Sequence, residues 1–205
     1  MSDYLKKIAA LFEQLPGIGP RQAARFAYSL LDEKKEVLEE MSAALSTLKS
    51  EVKRCAECFQ AFDIAKSKLK EENVCRTCLI HRSSVSMLIV EKDVDLENIG
   101  KLGIYDGRFY VLGGVISPFN GGIDKIRLQT LYRLIKNSSS LKEIIFAFSA
   151  TSEGDATASY LEKILEEFTK TGKVKISRLG RGLSTGSYLE FSDRDTLKNA
   201  LNNRK

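Results

Sequence analysis

Cys55-Ala-Glu-Cys58 and Cys75-Arg-Thr-Cys78, separated by the sixteen residues 59 to 74, hold all four cysteines of the 205-residue chain. The C-x2-C-x16-C-x2-C spacing is that of a four-thiolate zinc site. Each C-x2-C pair sets two sulfurs on one tight turn, and the excursion between them lets the second turn fold back, so that four thiolates close a tetrahedron with no open position. A closed shell makes the Zn2+ structural, one ion per chain. Two disulfides are the alternative, and they belong to secreted chains. The opening Met1-Ser-Asp-Tyr-Leu-Lys-Lys7 carries no apolar signal core, so the expectation is a cytoplasmic protein with reduced thiols. Residues 53 to 82 contain few apolar side chains, and metal binding supplies their folding free energy, on the order of 10 kcal/mol.

Outward from this block toward the N-terminus, residues 3 to 52 read as helix. Leu5, Ile8, Phe12 and Leu15 recur at helical spacing, and Ala23, Ala24, Phe26, Ala27, Leu30 and Leu31 continue the pattern after a break. Val37, Leu38, Met41, Leu45 and Leu48 mark a third amphipathic segment. The break is Leu15-Pro16-Gly17-Ile18-Gly19-Pro20-Arg21. Gly17 and Gly19 there have access to backbone angles closed to other residues, and Pro20 suits the first turn of a helix. Helix, h-G-x-G turn and helix make a helix-hairpin-helix element. Its free backbone N–H groups at a helix N-terminus bind phosphate oxygen without reading bases. Arg21 and Arg25, one helical turn apart, add positive charge on the same face. The plain alternative is a helix corner that needs glycine for packing.

Toward the C-terminus the pattern changes to alternating strands and helices. Val85–Val90, Phe109–Leu112, Glu143–Phe148 and Val174–Ser177 read as buried strands. Ile126, Leu128, Leu131, Leu134 and Ile135 form one helical stripe between them, and Tyr160, Leu161, Ile164, Leu165 and Phe168 another. This is an α/β domain with a largely parallel sheet. Gly113-Gly114, Gly121-Gly122 and Gly180-Arg-Gly182 read as turns. Asp193 to Leu201 reads as a final helix capped by its aspartate.

With 43% hydrophobic residues the chain can bury a core, and it has no apolar run near 18 residues, which excludes a helical membrane span. The net charge is +5, and residues 170 to 205 carry nine basic against three acidic side chains. That balance is compatible with a polyanion nearby, and equally with a solvated positive face.

In an open α/β sheet, chemistry gathers at the carboxyl ends of the strands. Glu91 ends the first strand, and Glu153 and Asp155 follow the third. A glutamate with an acid-x-acid pair offers the hard oxygen ligands of Mg2+. The structural alternative has Asp155 or Thr157 capping a helix and Glu91 paired with Lys92 or Arg108. His81 is the one histidine and reads as a surface or packing residue. No phosphate-binding loop with a lysine is present.

The order of these blocks resembles one bacterial family over nearly the whole chain, the recombination mediators called RecR. The blocks are Leu15–Pro20, the two C-x2-C pairs, Met87–Glu91, Tyr110–Ile123, Ser152–Ala158 and Tyr188–Leu197. The resemblance implies a helix-hairpin-helix DNA-binding domain at 1–53, a four-cysteine zinc finger at 54–82, a Toprim domain at 83–180 and a C-terminal segment at 181–205. It implies DNA contacts at Gly17, Gly19, Arg21 and Arg25. It implicates Glu91, Glu153 and Asp155, the Toprim acids, in metal or partner contacts. It further implies a homo-oligomer, dimer or tetramer, that binds gapped DNA irrespective of sequence and works with RecO, and RecF where present, to load recombinase on SSB-coated strands. No catalytic turnover is implied. The alternative is a magnesium-dependent Toprim nuclease using the same acids. Gly180–Ser187 departs from the family's more usual Ala-x-Gly-x-Pro-x-Gly-Gly.

Overall fold

Leu5, Ile8, Ala9 and Phe12 share one side of helix α1 (Asp3–Phe12) and meet Ala23 and Ala27 of α2 (Pro20–Leu31). The computed structural model describes residues 1–65, 73–117 and 126–204. They divide into two units, Met1–Glu51 and Val52–Lys205. In the first, three buried alanines let α1 and α2 approach closely, and Phe12 meets Phe26 edge-on at 5.5 Å. Ser2 caps α1 by accepting from the Leu5 N–H at 3.3 Å. Helix α3 (Lys35–Glu51) forms as its periodicity predicts but buries no residue. Its stripe of Val37, Leu38, Met41, Leu45 and Leu48 is at least 36% exposed throughout.

The second unit begins with a small antiparallel ribbon, β1 (Val52–Arg54) paired with β2 (Ala61–Asp63). Neither strand was legible in the sequence, nor was the short helix α4 (Arg76–Ile80). The four remaining strands are β3 (Ser86–Val90), β4 (Arg108–Val111), β5 (Glu143–Ala147) and β6 (Lys175–Arg178). All pair in parallel in the order β4-β3-β5-β6, with Leu88 level with Phe109 and Ile145. The sheet is packed on both faces, which is why its strands are continuous apolar runs. On one face Met87, Ile89, Tyr110, Ile144 and Phe146 pack with Leu131 and Ile135 of α6 (Leu128–Asn137) and Leu161 of α7 (Ser152–Ile164). On the other, Leu88, Val90, Phe109 and Val111 pack with Leu96 of α5 (Asp93–Leu102).

The stripe expected to run unbroken from Tyr160 to Phe168 divides at Leu165, where α7 ends and α8 (Glu166–Lys170) begins. A 3-10 turn at Leu189–Phe191 and helix α9 (Arg194–Asn202) complete the chain, and Asp193 caps α9 by accepting from the Thr196 N–H at 2.9 Å. Strand order reverses about β3, so the carboxyl ends of β3 and β5 form the switch point of the sheet. Gly121-Gly122 and the Pro118–Ile123 part of the family-like block lie outside the described residues. Among the described residues no helix is long and apolar enough to cross a membrane.

Candidate metal centre and nucleic-acid interface

The four cysteine sulfurs lie within 4.8 Å of one another, and each residue is at most 2% exposed. Cys55 Sγ is 3.8 Å from Cys78 Sγ, and Cys58 Sγ is 3.5 Å from Cys75 Sγ. A disulfide requires about 2.05 Å. A tetrahedron with metal–sulfur bonds of about 2.3 Å has sulfur–sulfur edges of about 3.8 Å. The spacing is therefore that of ligands to one ion. Backbone N–H groups of Cys58 and Cys75 point at Cys55 Sγ at 3.5 and 3.3 Å, and that of Cys78 points at Cys75 Sγ at 3.5 Å. Such donors stabilise thiolate. The Cys58 and Cys55 sulfurs share one hydrogen-bonded cluster that holds the Cys55 thiol well below the ordinary range and pushes Cys58 well above it. Four thiolates cannot coexist in a buried cluster without a cation, and the donor set fits a metal ion.

The metal knuckle is seated on strand β4. The Cys58 carbonyl accepts from the Val111 N–H at 2.8 Å, which pairs the edge strand of the sheet. Phe59 follows with φ of +62°, the one non-glycine residue with positive φ among the described residues. That turn directs its ring edge-on to Tyr110 at 5.8 Å, and the Arg127 guanidinium lies over the same ring at 4.5 Å. Arg127 also donates to the Val111 carbonyl at 3.1 Å, and burial lowers its pKa from the ordinary arginine value. Arg54 joins the Phe59 carbonyl at 2.8 Å to the Asp93 carboxylate at 3.0 Å. Sequence reasoning missed Phe59, Arg54 and Arg127 as a set. The apolar residue directly after the second cysteine was the only local signal.

The Toprim-like acids sit where the sequence expects, at the switch point, but each has its own partner. Glu91 is 6% exposed, and its Oε1 accepts from the Ser149 N–H at 2.6 Å, so it ties the end of β3 to the loop after β5. It pairs with neither basic candidate in this way, since Arg108 turns to Glu57 at 3.0 Å. Asp155 receives both terminal nitrogens of Arg181, at 3.0 and 2.6 Å, and these hydrogen bonds hold its carboxyl below the usual range. Glu153 is also lowered, by its own backbone N–H and the Ser152 hydroxyl. The expected helix cap is corrected. Thr151, not Asp155 or Thr157, caps α7 by accepting from the Gly154 N–H at 3.1 Å. Buried Thr157 instead accepts from Ile116 N–H at 2.8 Å and donates to the Glu153 carbonyl at 2.7 Å. Gly154 is required by packing, because a Cβ would stand 2.1 Å from the Ser149 carbonyl oxygen. Among the described residues the cysteines alone gather three or more ligand atoms within 4.8 Å. His81 stands apart, 3.5 Å from Asp106.

In the first unit Gly17 adopts φ of +84° and turns the chain between α1 and α2. Gly19 differs from expectation. It is the N-cap of α2 at φ −85°, an ordinary angle, with open space where a side chain would be. It offers no side chain to the first-turn N–H groups of α2, which follow Pro20. Arg21 and Arg25 are exposed beyond it on the same helix.

A family model described as RecR, helix-hairpin-helix matches residues 5–49, and one described as Toprim domain matches residues 86–180. The recombination protein RecR of Bdellovibrio bacteriovorus is 38% identical over 208 residues, covering 98% of this chain and 96% of that protein. That of Synechococcus sp. (strain CC9311) is 37% identical over 196 residues, covering 95% and 96%. That of Lactobacillus helveticus is 33% identical over 195 residues, covering 94% and 92%. At these identities over nearly the full length of both chains, the chain belongs to the RecR family of recombination proteins.

Proposed function

We propose that the protein is a non-enzymatic mediator of recombinational DNA repair. It binds gapped DNA without sequence preference through the α1–α2 hairpin and holds one structural Zn2+ at Cys55, Cys58, Cys75 and Cys78. The observation that carries this reading is the uncapped N-terminus of α2 at Gly19, with exposed Arg21 and Arg25 beside it, in a chain of the RecR family. Unpaired N–H groups at a positive helix end hold a phosphate oxygen, and the two guanidiniums neutralise its neighbours.

One hairpin meets few phosphates, so firm binding at physiological salt needs several copies on one DNA. The exposed apolar stripe of α3 supports a homo-oligomer, dimer or tetramer. Glu153 and Asp155, with buried Glu91 holding the loop before them through Ser149, we assign to contacts with basic side chains of a partner, RecO foremost and RecF where present, in loading recombinase onto SSB-coated strands in the cytoplasm. A magnesium-dependent nuclease needs these carboxylates on shared ions, and the engagement of Asp155 by Arg181 and of Glu91 by Ser149 works against that. Incubation of zinc-loaded protein with labelled gapped DNA and Mg2+ tests the reading. It predicts retarded, uncut DNA, whereas cleavage lost in Glu91→Ala and Asp155→Ala would replace it with the nuclease.

A further inference from the structure

A polar cavity of about 310 Å3 lies between the metal knuckle and the sheet, and none of the three acids lines it. Glu57 of the knuckle, Arg82, Arg108 of β4, Asn137 at the end of α6 and Ser139 beyond it line it. Arg108 is 6% exposed, and its Nε–H finds no acceptor among the described residues. That nitrogen is enclosed by the protein, so an anion in the cavity would meet Arg108 through its terminal guanidinium nitrogens. Glu57 meets only part of the demand. Its Oε1 takes Arg82 Nη2 at 3.1 Å and its Oε2 takes Arg108 Nη2 at 3.0 Å, so one carboxylate holds two guanidiniums side by side and leaves net positive charge.

We propose that this cavity is an oxyanion site for a phosphate group. Two arginines fixed by a shared carboxylate present planar donors to tetrahedral oxygens, and the amide of Asn137 and hydroxyl of Ser139 at the rim add donors of the kind that phosphate accepts. The cavity has room for one phosphate group. The group is carried either by a DNA backbone or by a free phosphate ester, and the chemistry of recognition is the same.

The test uses full-length zinc-loaded protein, inorganic phosphate titrated against chloride at matched ionic strength, and two variants at exposed positions, Arg82→Gln and Ser139→Asp. Phosphate binding followed by calorimetry should weaken about tenfold in each, because each loses or opposes one charge-assisted contact. The Arg21→Ala, Arg25→Ala double variant should bind phosphate here as the wild type does, which separates this site from the hairpin. If the source is DNA, Arg82→Gln also lowers the log-log salt slope of DNA binding by about one per copy engaged. If the source is a free ester, that slope is unchanged while phosphate binding still weakens about tenfold. Equal phosphate affinity in wild type and both variants, or no phosphate binding in the wild type, overturns the proposal.

Discussion

Replacing Phe59 separates two opposed effects of the knuckle on stability. The ring is half-buried, so truncation to alanine forfeits about half of the roughly 4 kcal/mol of a fully buried phenylalanine, or about 2 kcal/mol. The edge-on contact with Tyr110 contributes about 1 kcal/mol and the stacked Arg127 guanidinium up to about 1 kcal/mol. These overlap, and Phe59→Ala should cost about 3 kcal/mol. Alanine keeps the strain of a left-handed φ of +62°, which is about 1–2 kcal/mol. Glycine relieves it and gives back only about 0.5–1 kcal/mol in unfolded-state entropy. Phe59→Gly should therefore be more stable than Phe59→Ala by about 0.5–1 kcal/mol, the reverse of the usual order. Thermal unfolding of zinc-loaded proteins, followed by near-ultraviolet circular dichroism, should show midpoints lowered by roughly 6–12 °C for alanine and less for glycine. A glycine variant less stable than the alanine one, or an alanine loss under about 1 kcal/mol, would refute the docking of the knuckle through this residue.

Further outcomes concern the metal, the acids and assembly. Metal analysis should return one zinc per chain, and Cys75→Ser should lose it together with stability and solubility; a metal-free protein that melts at the same temperature contradicts the site. Because Arg181 depresses the Asp155 pKa, their pairing is present above the ordinary carboxylate range and is lost as pH falls through the depressed value. Both side chains are more than a third exposed, at 44% and 38%, so it is worth under about 1 kcal/mol. Carboxyl NMR should find the Asp155 midpoint raised in Arg181→Ala, and an unmoved midpoint would dissolve the pair. Light scattering at micromolar concentration should report a dimer or larger, and Leu45→Glu with Leu48→Glu on α3 should shift it toward monomer. Unchanged mass in that variant would move the interface elsewhere.

The central strands were legible because burial on both faces leaves continuous apolar runs, as at Met87–Val90, and the end of that run locates Glu91 at the end of β3. The cysteines were legible because ligand spacing is local. Helix α5 was not, since only Leu96 of its apolar residues is buried and its start rests on the Asp95 carboxylate accepting from the Lys92 N–H at 2.9 Å. The Thr151 cap was overlooked although a threonine directly before an acidic first turn is its ordinary signature. Pairs such as Asp155 with Arg181 and Phe59 with Arg127 join residues distant in sequence, and no local pattern encodes them.

The central claim is that the hairpin neutralises DNA phosphates. It is tested most directly by the affinity of wild type and the Arg21→Ala, Arg25→Ala double variant for gapped DNA across a salt series. The account predicts affinity indifferent to sequence and falling steeply with salt, with a log-log slope reduced by about one for each arginine lost per copy engaged. Unchanged affinity and slope in the double variant would contradict it.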